Sequence, residues 1–282
     1  FPYLFHSFNE LYPYKLYKDK YHLLAVDGSS FTFTRNPLDP DSYFAPNNKT
    51  TNGYNQVHVI PVFDILSKRY TDCIVQPIRK KNEFRALSEL IDRHVPVSGS
   101  VPIFIADRGF HSLNVFAHAI EHRAYFIIRA TDVKMQRLLA CDLPVGQDCF
   151  DIRIDRILTR TTSKKKWLHP ELSEKYKTIC RDVAFDYIDP EKSPEYSITL
   201  RVLRFQISDN NYENIITNLP FEEFSADELK HLYHLRWSIE TSFRELKHVI
   251  GASNFHSKKR EFIEMEIWAR IILYNFCSII TG

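Results

Sequence analysis

The apolar run VPIFIADRGF, residues 101–110, constrains the fold more than any other stretch of the chain. It stays apolar up to Asp107 instead of alternating, which is typical of a strand buried on both faces. A capped helix, SLNVFAHAIEHR, and a second continuous strand, AYFIIRA, follow it. Upstream lie three β-rich segments and the Asn-capped helix NEFRALSELIDRH. Residues 22–130 therefore predict a mixed α/β sheet flanked by helices.

The first β-rich segment is HLLAVDGSSFTF, residues 22–33. Its apolar run stops at Asp27 and Gly28, and Phe31 and Phe33 then alternate with polar residues. An Asp-Gly pair between two β-rich runs is a strong signal for a tight turn. The segment therefore predicts a hairpin that turns at Asp27 and Gly28.

The pattern changes after residue 131, where apolar and polar residues alternate as in exposed antiparallel strands. The predicted strands are FDIRIDRIL, KTICRDVAFDYI, SITLRVLRFQI and YENIITNLP. Helix returns at SADELKHL, where Ser225 and Glu228 have the spacing of a capping box. The predicted organisation is a lead-in segment (1–21), the first part of an α/β core (22–131), a β-rich insertion (132–220) and the second part of the core (221–282).

Composition excludes several classes of protein. The 37 basic and 35 acidic residues leave a formal net charge of +2, so any nucleic-acid binding must come from a local patch. The five cysteines have no CxxC spacing, and no apolar run reaches the roughly 20 residues of a membrane span. We expect a cytoplasmic protein without a membrane partner. Because the chain opens on Phe1, we also expect a piece of a longer protein.

The helical segment LYHLRWSIETSFRELKHVI, residues 232–250, carries two stripes and predicts one long helix. The apolar stripe consists of Leu232, Leu235, Ile239, Leu246 and Ile250. The other stripe, about 100° away, consists of Tyr233, Arg236, Glu240, Phe243 and Lys247. Charges aligned in this way form either an internal ladder of ion pairs or a functional site. The periodicity alone favours neither interpretation.

Two aspartates end predicted strands of the core, Asp27 in LLAVDGS and Asp107 in IFIADRG. Each one alone is ordinary turn chemistry. Together with Glu240 they provide three carboxylates at positions where α/β proteins collect ligands. Carboxylate oxygens are the ligands that hard divalent cations prefer, and a pair of such ions suits in-line attack on a phosphodiester.

The same residues resemble a known signature. Tyr233, Arg236, Glu240 and Lys247 have the spacing Y-(2)-R-(3)-E-(6)-K, which resembles the signature of DDE-type bacterial insertion-sequence transposases of the insertion-sequence-four group. AVDGS resembles the first aspartate motif of that family, ADRGF the second, and TNLP with FSADELKHLYHLRW the approach to the glutamate. The resemblance extends over the chain from about residue 20 and includes NFHSKK at 254–259.

The resemblance implies a ribonuclease-H-like core, interrupted by a β-rich insertion, whose metal ligands are Asp27, Asp107 and Glu240. The implied cofactor is a pair of Mg²⁺ ions, for which Mn²⁺ substitutes. The implied partners are double-stranded DNA, as terminal inverted repeats and target DNA, and a second copy of the protein on paired ends. Family members cut and paste through a DNA hairpin. The implied location is the bacterial nucleoid.

The resemblance also implies DNA contacts for Tyr233, Arg236, Lys247 and Arg108. Trp167, which follows three lysines, is the candidate to stack on a flipped base. Packing against a hydrophobic patch of the insertion is its alternative. Trp237 lies off the charged stripe, and we expect it to pack in the core.

Three functions remain open from the sequence: an active transposase domain, a metal-dependent nuclease of the same fold, and a domesticated DNA-binding protein. All three acidic residues and the tyrosine, arginine and lysine of the signature are present, which disfavours a decayed element. Nuclease and transposase differ in whether water or a 3′ hydroxyl end attacks, and that choice depends on how the DNA is positioned.

Overall fold

The computed structural model describes residues 2–48, 51–97, 99–139, 149–160, 175–189, 191–209, 211–251 and 255–281. Trp167 and the lysines at 164–166 lie outside these stretches. The chain divides into two compact units. The first comprises Phe1–Ile105 and Leu232–Gly282, and the second comprises Ala106–His231.

The described residues contain both strands and helices, as the α/β prediction requires. The strands are β1 (Tyr21–Val26), β2 (Ser29–Phe33), β3 (Tyr43–Phe44), β4 (Tyr54–Asp64), β5 (Arg69–Pro77), β6 (Val101–Ala106), β7 (Tyr125–Ala130), β8 (Phe150–Thr159), β9 (Tyr176–Thr178), β10 (Glu195–Ser208) and β11 (Asn211–Thr217). The helices are α1 (Pro2–Glu10), α2 (Glu83–Asp92), α3 (Leu113–Glu121), α4 (Asp132–Leu139), α5 (Ala226–Leu235), α6 (Trp237–His248) and α7 (Arg260–Thr281). The predicted cap of α2 is confirmed, because the Asn82 side chain accepts from the backbone N–H of Arg85.

The sheet of the first unit is organised around β4, which is 11 residues long. Strand β5 pairs along one edge of β4, and β1 and β2 share the other edge, all antiparallel. The Cα pairs of β1 and β2 with β4 include Leu24 with Asp64, Val26 with Val62, Ser29 with Val59 and Phe33 with Asn55. Strand β2 therefore continues the pairing of β1 with β4 in the same register.

The predicted hairpin at Asp27 and Gly28 is wrong. The two residues interrupt a continuous line of pairing and do not reverse the chain. The shared register sets Asp27 opposite Pro61, and proline has no backbone N–H to donate to the ladder. The ladder therefore opens at the residue that carries the candidate carboxylate.

Strand β6 lies on the other side of β1. The backbone N–H of Val101, the first residue of β6, donates to the carbonyl of Lys20, the residue before β1, at 2.9 Å. The two strands therefore begin side by side, and both are six residues long. Because their lengths match, the chain leaves both strands at the same edge of the sheet.

Buried polar contacts fix α6 and α7 of the first unit to β5. The Tyr70 hydroxyl on β5 lies 2.8 Å from Ser242 Oγ on α6. The backbone N–H of Tyr70 donates to Asn275 Oδ1 on α7 at 2.8 Å. The Tyr274 hydroxyl on α7 donates to Glu245 Oε2 on α6, also at 2.8 Å. These bonds hold α6, the helix of the charged stripe, in a defined position.

The second unit contains a sheet in the order β7-β11-β10-β8-β9. Its pairs are antiparallel except for β8 with β9, which is parallel, so the sheet is mixed. Three of the four predicted strands are confirmed, and the fourth, KTICRDVAFDYI, is wrong beyond Thr178. There the guanidinium of Arg160 donates to several backbone carbonyls, and Asp186 accepts from Asn114 and His118. These side chains replace a neighbouring strand as hydrogen-bond partners.

Among the residues that the structure describes, none of the helices combines the length and the apolar character that a bilayer crossing requires.

Tyr70→Phe tests the anchoring of α6. The substitution removes one buried hydrogen bond and leaves Ser242 Oγ satisfied, since it also donates to the Ile239 carbonyl at 2.8 Å. We expect the free energy of unfolding to fall by about 1 kcal/mol in a urea titration. Tyr3→Phe is the matched control, because Tyr3 is exposed. Equal stability of both variants would show that the hydroxyl does not anchor the helix.

Candidate active site

Asp27 stands at the opening between β1 and β2. All six residues of β1 are buried, so the strand that leads to Asp27 has a fixed position. Asp27 Oδ1 accepts from the backbone N–H of Gly28 at 2.8 Å. Its side chain is 23% exposed, which leaves the carboxylate partly open to solvent. The aspartate is therefore held by its backbone but accessible.

Arg236 interrupts the helix that the sequence predicts as continuous. Helix α5 ends at Leu235 and α6 begins at Trp237, so the prediction of one helix over 232–250 is corrected to two. The backbone bonds around Arg236 run three residues back, from Arg236 N–H to the Tyr233 carbonyl and from Ile239 N–H to the Arg236 carbonyl. The chain tightens there while the backbone of Arg236 stays right-handed helical.

The guanidinium of Arg236 lies between two carboxylates. Its Nη2 donates to Glu240 Oε1 at 3.0 Å, and its Nη1 lies 3.7 Å from Asp27 Oδ2. The Arg236 side chain is 7% exposed, whereas that of Glu240 is 39% exposed. Within the first unit, Asp27 and Glu240 therefore lie beside the same positive charge, that of Arg236.

The charge of Arg236 is held by its surroundings. Burial acts to lower the pKa of the guanidinium, but Tyr233, Asp27 and Glu240 outweigh it and raise the pKa above its ordinary value. Tyr233 is 2% exposed, and its ring centroid lies 5.6 Å from the guanidinium carbon. The buried Tyr233 ring thus packs beside the Arg236 guanidinium and helps to hold it in position.

Lys247 belongs to the same stripe and lies two turns after Glu240 on α6. Its ammonium donates to Ser29 Oγ at 2.6 Å and lies 4.8 Å from the ring centroid of Phe31. Burial lowers the pKa of Lys247 from its ordinary value. The sequence interpretation missed Ser29 and Phe31 as neighbours of this stripe. Their positions two and four residues after Asp27 in the sequence could have indicated that they lie near this stripe.

The prediction of core packing for Trp237 is wrong, because this side chain is 59% exposed. The buried apolar side chains of this region include Leu232, Ile239 and Leu246. Trp237 precedes Ile239 by two residues, which is about 200° around a helix, and it therefore faces away from that buried side. Its ring lies 6.0 Å from the Arg236 guanidinium.

Asp107 and Arg108 lie at the start of the second unit. Asp107 caps a short 3₁₀ turn, Arg108–Phe110, and its Oδ1 accepts from the Gly109 N–H at 2.7 Å. The carbonyl of Arg108 accepts from Lys134 Nζ at 3.1 Å. Burial lowers the pKa of Lys134, while the negative charge of Asp107 acts in the opposite direction. The loop that carries Asp107 is therefore fixed by local hydrogen bonds.

Residues 18–276 match the family described as Transposase DDE domain. The chain belongs to this family. The DDE transposase resemblance in the sequence is thereby confirmed.

Named relatives agree with the family. The chain is 24% identical over 262 residues to the transposase InsG of insertion sequence element IS4 from Escherichia coli (strain K12), covering 90% of the chain and 50% of that protein. It is 33% identical over 58 residues to the transposase of insertion sequence element IS421 from Escherichia coli, covering 21% of the chain and 16% of that protein. The chain thus spans about half the length of the IS4 protein and a smaller share of the IS421 protein.

A solved structure supports the fold. The chain resembles the piggyBac transposase in a synaptic complex with hairpin DNA, with a TM-score of 0.51 and 11% identity, over 90% of this chain and 46% of that one. The ribonuclease-H-like mixed α/β fold predicted from the sequence is thereby confirmed.

Membership of the DDE family implies dependence on a divalent metal. The described site fits a hard cation in its donor chemistry, since Asp27 and Glu240 offer carboxylate oxygens that are partly open to solvent. Arg236 supplies a positive charge that both carboxylates share when no metal is bound. Metal binding is therefore expected to compete with Arg236 for the same oxygens.

Arg236→Gln tests this competition. We expect Mn²⁺ affinity, measured by titration calorimetry, to rise about fivefold, the equivalent of about 1 kcal/mol for a partly exposed ion pair. Arg244→Gln, at an exposed position of α6, is the control for the loss of one positive charge. An affinity that stays equal to that of the control would show that Arg236 does not compete with the metal.

Proposed function

We propose that this chain carries the active site of a transposase that cleaves DNA at the ends of a mobile element and transfers the freed strand to target DNA. The observation that carries the proposal is the meeting of Asp27 and Glu240 at the Arg236 guanidinium. These are the first and third acidic residues of the DDE pattern. A structural ion pair on a helix needs only an i,i+4 partner, whereas here the guanidinium also reaches a carboxylate at a strand end.

Asp107 is proposed as the second acidic residue. Strands β1 and β6 begin side by side and have the same length, so the chain leaves both at the same edge of the first sheet. Asp27 and Asp107 are the residues that follow these strands. We expect their carboxylates to act together with Glu240 as metal ligands.

The proposed cofactor is a pair of Mg²⁺ ions, for which Mn²⁺ substitutes. When bound, such ions supply activation of the attacking oxygen and stabilisation of the leaving oxygen in phosphodiester cleavage. The three carboxylates hold the cations and fix their positions. Without cations the carboxylates repel one another, which is why Arg236 is needed in the metal-free state.

The proposed DNA contacts use the charged stripe that runs from α5 through Arg236 into α6. Arg236 and Lys247 offer positive charge to the phosphates near the cleaved bond. Tyr233 belongs to this stripe through its support of Arg236. Arg108, which is exposed beside Asp107, and Trp167 are the further proposed contacts, Trp167 by stacking on a flipped base.

The proposed substrate is double-stranded DNA with terminal inverted repeats, and target DNA receives the transferred strand. Excision is proposed to pass through a hairpin at the excised end, on a homodimer that holds paired ends. Because its substrate is DNA, we place the protein at the bacterial nucleoid in the cytoplasm. Strand transfer needs a 3′ hydroxyl end held in line for attack, which distinguishes it from hydrolysis by water.

Asp27→Asn, Asp107→Asn and Glu240→Gln test the catalytic assignment. Each change keeps the shape of the side chain and removes a metal ligand charge, so we expect loss of at least about 100-fold in cleavage of the element ends with Mg²⁺ or Mn²⁺. The assay uses the full-length protein and labelled DNA containing both inverted repeats. Glu222→Gln, at an exposed position, is the control. A variant that cleaves as fast as this control removes its residue from the site.

Lys247→Ala tests the DNA-facing role of α6. We expect weaker binding to end DNA and a slope of log K against log salt that is smaller by about one, because one phosphate contact is lost. Mn²⁺ affinity should change little. Lys192→Ala, at an exposed position of the second unit, is the control. An unchanged salt slope with lower metal affinity would reverse the assignment.

A further inference from the structure

A buried histidine lies behind the opening that carries Asp27. His58 on β4 is 3% exposed and pairs in register with Ser30 on β2. Its Nδ1 lies 3.3 Å from Ser30 Oγ, and its Nε2 lies 2.9 Å from Glu83 Oε1. Since a carboxylate only accepts, Nε2–H donates to Glu83, and Nδ1 accepts from the Ser30 hydroxyl when the ring is neutral. Both ring nitrogens are therefore engaged, and the ring is fixed.

Gly28 packs directly against this pair. A Cβ atom added to Gly28 would lie 2.5 Å from His58 Nε2, 2.8 Å from His58 Cε1 and 2.9 Å from Glu83 Oε1. These distances are well inside van der Waals contact. The absence of a side chain at position 28 is thus what allows the backbone after Asp27 to approach the imidazole. Position 28 therefore requires glycine because His58 and Glu83 leave no room for a Cβ atom.

The Asp27–Gly28 segment lies in the gap between two stretches that pair with β4. Residues 27 and 28 lie between the paired parts of β1 and β2, and Asp27 is the one opposite Pro61 of β4. Packing against neighbouring side chains therefore contributes to the position of this segment. His58 and Glu83 supply that packing from the side of β4 and α2.

We propose that His58 and Glu83 are positioning residues that form a rigid brace under the Asp27–Gly28 segment and thereby aim the Asp27 carboxylate at its metal. The brace rests on the proposed function for its consequence, but its geometry is independent of it. His58 and Glu83 act through Gly28 and Ser30 and do not touch DNA or metal. The chain thus uses a histidine and a glutamate outside the DDE pattern to orient the first aspartate.

The test uses steric suppression. In full-length protein, Gly28→Ala introduces the clash and His58→Ala removes the brace. The double variant removes the imidazole with which the new Cβ atom clashes, and the end of the Glu83 side chain, no longer held by His58, can shift away from that atom. We expect Gly28→Ala to weaken Mn²⁺ binding about 100-fold and His58→Ala about tenfold, as loss of outer support does at metal sites. The double variant should recover to the level of His58→Ala. His58→Gln, which keeps a hydrogen-bond donor, should lose less than His58→Ala.

His94→Ala is the matched control, because His94 is a half-buried histidine of the same unit that packs on Phe104. Its Mn²⁺ affinity should equal that of the parent protein. A melting temperature for each variant identifies loss of the fold. A double variant no better than Gly28→Ala, or a loss in His94→Ala as large as in His58→Ala, would overturn the brace.

Amide hydrogen exchange separates this proposal from the proposed function. The peptide that covers residues 26–31 should exchange faster in His58→Ala than in His94→Ala, without any metal present. If Asp27→Asn leaves Mn²⁺ affinity unchanged, the assignment of Asp27 as a metal ligand fails. The exchange rates of the two histidine variants still show whether His58 holds the Asp27–Gly28 segment in place. Equal exchange in the two histidine variants rejects the brace even when Asp27 binds metal.

Discussion

The contact of Arg236 with both Asp27 and Glu240 is the interaction on which the site depends. A guanidinium that is nearly buried needs compensating charge, because an unpaired charge at this depth costs several kcal/mol. The two carboxylates that contact this guanidinium are stabilised in turn by its positive charge. Each side therefore requires the other, and a strand end and a helix are held together before any metal binds.

The framework around this contact explains why the carboxylates are available. The proline of β4 opens the ladder where Asp27 stands, so the aspartate is not enclosed in regular sheet. Tyr70 fixes α6 through Ser242, and Tyr274 fixes it through Glu245. The backbone of the site is thus determined by buried contacts, while the carboxylates themselves remain partly exposed.

Local patterns predicted what depends on local chemistry. The Asn82 cap, the strands around Asp107 and the spacing of the charged stripe each require only neighbouring residues, and the structure contains the cap, the strands and the contact of Arg236 with Glu240. The hairpin at Asp27 failed because β1 and β2 both pair with the same edge of β4, a strand that begins only at Tyr54. The brace of His58 could not be predicted either, since it follows from the register of two strands.

Anomalous diffraction from crystals of the protein grown with Mn²⁺ tests the central claim most directly. The account predicts metal density about 2.0–2.5 Å from carboxylate oxygens of Asp27, Asp107 and Glu240, with the Arg236 guanidinium moved off at least one of them. Metal density elsewhere, or none at all with Arg236 still bound between Asp27 and Glu240, would contradict it.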